Sequence, residues 1–222
     1  MSDNQMITQN ELRQIMLSLC SEFYEENKMI TIKRLYLAAR RRTSASSHEV
    51  QSVIDELIAD KIIVPDSFII KPKVLDNDTR QKIFKFLSEN PGVSAYDIKK
   101  DLGLGNNMVA WHLNILMEFD LVKEISINKK RIFTTRKTKR EFAVAYYYLN
   151  KKDEIPLILG AIGREMVNLD EIVDRSALNR KKVRYYLQRF QRLGLIRKEE
   201  NGGTSYYVLP HPYKNVIPKL ID

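Results

Sequence analysis

Cysteine is all but missing from this chain. Cys20 stands alone, so no disulfide can close within the 222 residues and no cysteine cluster can hold a metal. A reducing, cytoplasmic compartment is the expectation. Histidine is as sparse, with His48, His112 and His211 scattered, which argues against metal sensing. No apolar run approaches the roughly 20 residues of a membrane span. The opening MSDNQMITQN has no basic-then-apolar pattern, so no secretory leader is expected. Catalytic signatures are wanting too: there is no phosphate-binding GxxxxGK, no HExxH and no GxSxG. Gly103-x-Gly105 has Met108 where a dinucleotide fingerprint needs its third glycine. Neither a cofactor nor an enzyme activity is expected.

Hydrophobic residues make up 44% of the chain, enough for a packed core and too many for general disorder. Lysine and arginine number 37 against 28 acidic residues, a net charge of +9 that favours an anionic partner. The excess is not evenly spread. Residues 1–75 carry 10 basic and 10 acidic side chains, residues 76–150 carry 13 and 9, and residues 151–222 carry 14 and 9. Two runs dominate it: KKRIFTTRKTKR over 129–140 has seven basic residues and no acidic one, and RKKVRYYLQRFQR over 180–192 has six and none.

The chain repeats itself. Residues 93–134 lie over 167–208 at a constant offset of 74, without a gap. Ile98 falls on Ile172, Leu104 on Leu178, Val109 on Val183, Leu113 on Leu187, and Leu121-Val122 on Leu195-Ile196. Each copy begins with an apolar-periodic helix, expected over 79–89 with Ile83, Phe84 and Leu87 inward, and over 154–165 with Leu157, Ile158 and Ile162 inward. A short helix follows, started by Ser94 or Asn168, both good N-caps. A tight turn then leads to a longer helix, 106–119 or 180–193. Strand pairs close the copies, 121–127 with 131–135 and 195–199 with 205–209. Asn201-Gly202-Gly203 is a strong hairpin signal, because glycine tolerates positive φ.

This order of helix, helix, turn, helix and two-stranded ribbon is the winged helix-turn-helix layout. The expected fold class is therefore mainly α with small β wings, as tandem winged helix-turn-helix domains. Residues 1–75 read as a divergent N-terminal copy, with helices over 11–24, 31–41 and 48–60 and a strand beginning at Ile62-Ile63-Val64. Residues 76–135 form the middle domain, 136–150 a connecting helix, and 151–222 the C-terminal domain with an irregular tail from Pro210.

An α-helix fits the major groove of B-DNA, so what each third helix shows to solvent matters most. In the last copy Val183, Leu187, Phe190 and Gly194 mark the inward stripe. The opposite face centres on Lys181, Tyr185, Gln188 and Arg192, flanked by Arg184 and Arg189. Arginine pairs with guanine and glutamine with adenine, and the cations seek phosphate. In the middle copy the outer face is Asn107, Trp111, Asn114 and Glu118, flanked by Ala110 and Ile115. Asparagine suits adenine, whereas exposed Trp111 and Ile115 suit a protein contact, so both partners stay open there. The basic charge of that copy sits in its wing, at Lys129, Lys130 and Arg131. The first copy is the poorest reader, since Glu49, Asp55, Glu56 and Asp60 would repel phosphate.

The run RQKIFKFLSENPGVSAYDIKKDLGLGNNMVAWHLNILMEFDLVKE resembles archaeal multi-winged-helix transcriptional regulators, broadly similar to the ArsR/MarR superfamily. It shares an Asn-Pro-Gly-Val lead, a Leu-Gly-Leu turn and a His-Leu-x-x-Leu third helix; the last copy has Tyr186-Leu187 instead of His-Leu. The resemblance implies DNA contacts at the start of each third helix and in the wing. Those positions are Asn106, Asn107, Met108 and Trp111 with Lys129, Lys130 and Arg131, and Arg180, Lys181, Lys182, Arg184 and Tyr185 with Thr204. The expected function is a sequence-specific regulator of transcription bound to double-stranded DNA, a homodimer through the first copy or the 136–150 helix giving two half-sites. The alternative is a protein-interaction scaffold, similar to the tandem winged-helix subunits of endosomal-sorting or basal transcription complexes, with Trp111 and Ile115 meeting the partner.

Overall fold

A computed structural model describes residues 7–221. The chain gathers into two compact units. One joins the described residues through Lys85 with Leu104–Val122; the other joins Phe86–Gly103 with the chain from Lys123 onward. The sequence-based division at 75, 135 and 150 follows the repeat and is a different partition.

In the first unit, α1 (Gln9–Glu25), α2 (Ile32–Arg42) and α3 (Ser47–Ala59) pack around Met16, Leu19, Leu35, Val50, Ile54 and Leu57, all at most 1% exposed. Thr8 with Glu11 and Ser46 with Glu49 form reciprocal capping boxes, which satisfy backbone donors that the first helical turn leaves free. Arg13 of α1 pairs with Glu56 at 3.6 Å and Asp60 at 2.7 Å, so the acidic side of α3 is partly neutralised from within. The strand expected at Ile62-Ile63-Val64 does not form. Ile63 makes a single antiparallel bridge to Ile70, and a 3-10 helix, Lys71–Asp76, follows. Pro65 donates no backbone N–H and Asp66 turns at φ 62, so little chain is left for a ladder.

The later elements are α4 (Asp78–Glu89), α5 (Ala95–Leu102), α6 (Asn106–Glu118), β1 (Val122–Ile127), β2 (Lys130–Thr135), α7 (Arg140–Leu149), α8 (Glu154–Ile162), β3 (Val167–Asn168), α9 (Leu169–Ser176), α10 (Arg180–Arg192), β4 (Arg197–Asn201), β5 (Thr204–Val208), α11 (His211–Lys214) and α12 (Ile217–Ile221). The bounds of α5 and α6, advanced by 74, are those of α9 and α10. Backbone conformation repeats as well. Gly103 and Ala177 both end their helices in the left-handed region, at φ 65 and φ 54. The hairpin positions Asn128 and Lys129 have φ 45 and 66, where Gly202 and Gly203 have 57 and 77. Val93 bridges to Phe133 as Val167 pairs with Tyr207. Both Ser94 and Asn168 close capping boxes, with Asp97 and Glu171.

The second unit has one core. Ile158 and Ile162 of α8, Ile172 of α9, Val183, Leu187 and Phe190 of α10 and Leu195-Ile196 pack together, with Ile125, Ile132 and α7 joining them. Burial of each large aliphatic or aromatic side chain contributes about 1.5–3 kcal/mol. A three-stranded antiparallel sheet, ordered β3-β5-β4, carries the wing.

The helix expected over 154–165 stops at Ile162, because Gly163 adopts φ 56 and ψ −135, a conformation that favours glycine. Leu157, expected inward, is 50% exposed; Ile155, Ile158 and Ile162 hold the buried stripe, and Leu157 falls outside it. The tail from Pro210 is not irregular: α11 and α12 form, Ile217 is fully buried, and Ile221 lies against Gly160 of α8.

Candidate nucleic-acid interface

The α10 helix begins where the Asn179 side chain accepts from the Lys182 backbone N–H at 2.8 Å. It buries Val183, Tyr186, Leu187 and Phe190, the 3–4 spacing of an amphipathic stripe. Tyr186 stacks on Phe190 with ring centroids 5.7 Å apart, which helps hold the inner face in one rotation. The opposite face is thereby turned out. Lys181, Arg184, Tyr185, Gln188, Arg189 and Arg192 are all exposed, and Tyr185 is 58% so. Lys181, Arg184, Arg189 and Arg192 have no ion-pair partner among the described residues.

Arg180 and Lys182 differ. Arg180 is ion-paired with Asp170 in the first turn of α9. Lys182 donates to Glu154 at 2.9 Å, at the start of α8. That hydrogen bond raises the ammonium pKa of Lys182 and lowers the carboxyl pKa of Glu154. The 180–192 run contains no carboxylate, yet α8 and α9 bring two carboxylates to its first turn. These two cations are therefore committed to the protein before any ligand arrives.

After α10 in the chain, the wing strands pair in the register Arg197↔Val208 to Asn201↔Thr204. Thr204 is exposed at the tip of the hairpin. Lys198 pairs with Glu200 at 2.8 Å, while exposed Arg197 has no ion-pair partner among the described residues. Arg197 is not among the expected contact residues; its position within the expected strand over 195–199 was the available signal.

Asn106, Asn107, Met108 and Trp111 of α6 are exposed, Met108 by 47% and Trp111 by 55%. Ile115, expected on this open face, is half-buried. His112 is buried, and its Nδ1 has no hydrogen-bond partner among the described residues. Burial and then the nearby Arg80 cation lower its pKa. In the β1–β2 hairpin Lys129 and Lys130 are exposed. Arg131, expected to be available, instead donates through Nε to Glu124 at 2.7 Å and lies over the Phe133 ring.

No helix among the described residues is long and apolar enough to cross a membrane. No protein-family model matches the chain. Over 137 residues, 62% of this chain, the sequence is 27% identical to an uncharacterized HTH-type transcriptional regulator of Methanocaldococcus jannaschii. The matched stretch covers 34% of that relative, so the chain spans about a third of its length.

Proposed function

We propose that this chain is a sequence-specific, double-stranded DNA-binding regulator of transcription, built from winged helix-turn-helix modules at 76–135 and 151–222 with a divergent first module over 1–75. Similarity to a protein named an HTH-type transcriptional regulator supports a DNA-binding regulator in general. The observation that carries the finer reading is the outer face of α10. Its exposed Lys181, Arg184, Arg189 and Arg192 lie beside Tyr185 and Gln188, on a helix without a carboxylate. In this reading α10 enters the major groove, Gln188 meets base edges, and Lys181, Arg184, Arg189 and Arg192 hold phosphates. Thr204 and Arg197 of the wing lie alongside, and Lys129 and Lys130 add phosphate contacts from the other hairpin.

The middle module has a second use. The exposed face of α6 around Met108 and Trp111 has no cation, and a large exposed aromatic beside amides suits a protein contact. A second copy of the chain is the simplest partner for a regulator of two half-sites. Fluorescence anisotropy with a labelled duplex tests the main proposal. Saturable binding that weakens with salt and with Arg184→Ala is expected; no binding at low ionic strength would overturn it.

A further inference from the structure

A separate cavity of about 220 Å³ lies in the second unit, between the segment leading into α5 and the end of α7. Phe86 and Val93 supply apolar lining, and Tyr146 and Tyr147 supply aromatic rings. The wall is held in place by its own hydrogen bonds. The Tyr146 hydroxyl donates to Asn90 Oδ1 at 2.7 Å, and Asn90 Nδ2 donates to the Phe86 carbonyl at 3.1 Å. Asp97 is oriented by Ser94, whose backbone N–H and hydroxyl donate to Oδ2 at 2.9 and 2.7 Å.

The cavity already holds a cation of this chain. The Lys151 ammonium lies 4.6 Å from the centroid of the Tyr147 ring and 3.9 Å from Asp97 Oδ2. An aromatic face combined with a carboxylate is a recognition pattern for organic ammonium groups. Lys151 follows the end of α7 and its side chain is 40% exposed, so it can leave without disturbing the core. Without Lys151 the charged lining is Asp97, Asp101 and Lys100, a net negative charge. That is the reverse of the chain's overall balance.

We propose that this cavity binds a small primary alkylamine of about the size of a lysine side chain, with Lys151 as the tethered occupant that the ligand displaces.

Isothermal titration calorimetry of the full chain with 1,5-diaminopentane tests the site without DNA, and pentane-1,5-diol serves as the uncharged control. Saturable binding of the diamine and none of the diol is expected. Lys151→Ala removes the internal competitor and should bind about five- to tenfold tighter. Tyr147→Leu should lose most of the affinity while melting cooperatively by circular dichroism, and Asp101→Asn, on an exposed residue, should weaken binding without affecting the fold. No saturable heat with Lys151→Ala would overturn the site, as would affinity unchanged by both Tyr147→Leu and Asp101→Asn.

Discussion

The salt dependence of duplex binding can be worked out from α10. Four of its cations, Lys181, Arg184, Arg189 and Arg192, are exposed and have no ion-pair partner among the described residues. If each neutralises one phosphate, α10 alone contributes about −3.6 to the slope of log affinity against log salt, from about −0.9 per phosphate on B-DNA. A fourfold rise in salt then weakens binding at least about 150-fold. Arg184→Ala should bring the α10 share to about −2.7 and its part of the loss to about fortyfold. Glu154→Gln works in the other direction. It gives up the charged partner that Lys182 holds at 2.9 Å, frees that ammonium for phosphate, and should steepen the α10 share to about −4.5. The assay is anisotropy on one labelled duplex across a salt series; a random sequence suffices, because the phosphate contribution does not depend on sequence. A slope near zero would refute the reasoning, as would slopes that neither substitution moves.

Two glycines with left-handed φ separate steric approach from backbone strain. A Cβ at Gly92 would sit 2.0 Å from the Ala143 carbonyl oxygen, so Gly92→Ala should cost about 3 kcal/mol or more in urea unfolding. At Gly103 a Cβ meets nothing within 4 Å, and Gly103→Ala should cost only about 1 kcal/mol; equal costs would contradict the close approach to Ala143. Ala177 occupies the repeat position of Gly103 at φ 54, so Ala177→Gly should stabilise by about 0.5 kcal/mol, read as a higher urea midpoint. A lower midpoint would count against strain at that turn. Burial and Arg80 lower the pKa of His112 below its ordinary value of 6.5, so the folded state favours neutral imidazole. The stability attached to it is complete above the unfolded value and is lost as pH falls through the lower folded value. Thermal melts from neutral toward acid pH should decline less in His112→Leu than in the unmodified protein, and parallel declines would remove His112 as a cause.

Features governed by short-range physics could be read along the chain. Apolar spacing, Ser94 and Asn168 as caps, and the Gly202-Gly203 turn located α5, α6, α9, α10 and the last hairpin to within a residue or two, because helix period, capping and φ preference act over a few neighbours. The same spacing identified which side of α10 faces inward. Ion pairing resisted that reading. Arg180 and Lys182 look free in a run without carboxylates, and only folding brings up Asp170 from 10 residues away and Glu154 from 28. Packing against distant segments also decided the helical tail on α8 and the Lys151–Asp97 contact, which joins residues from opposite sides of the β1–β2 hairpin. Charge can be counted residue by residue along a chain, but its neutralisation depends on distances that arise only when remote segments pack.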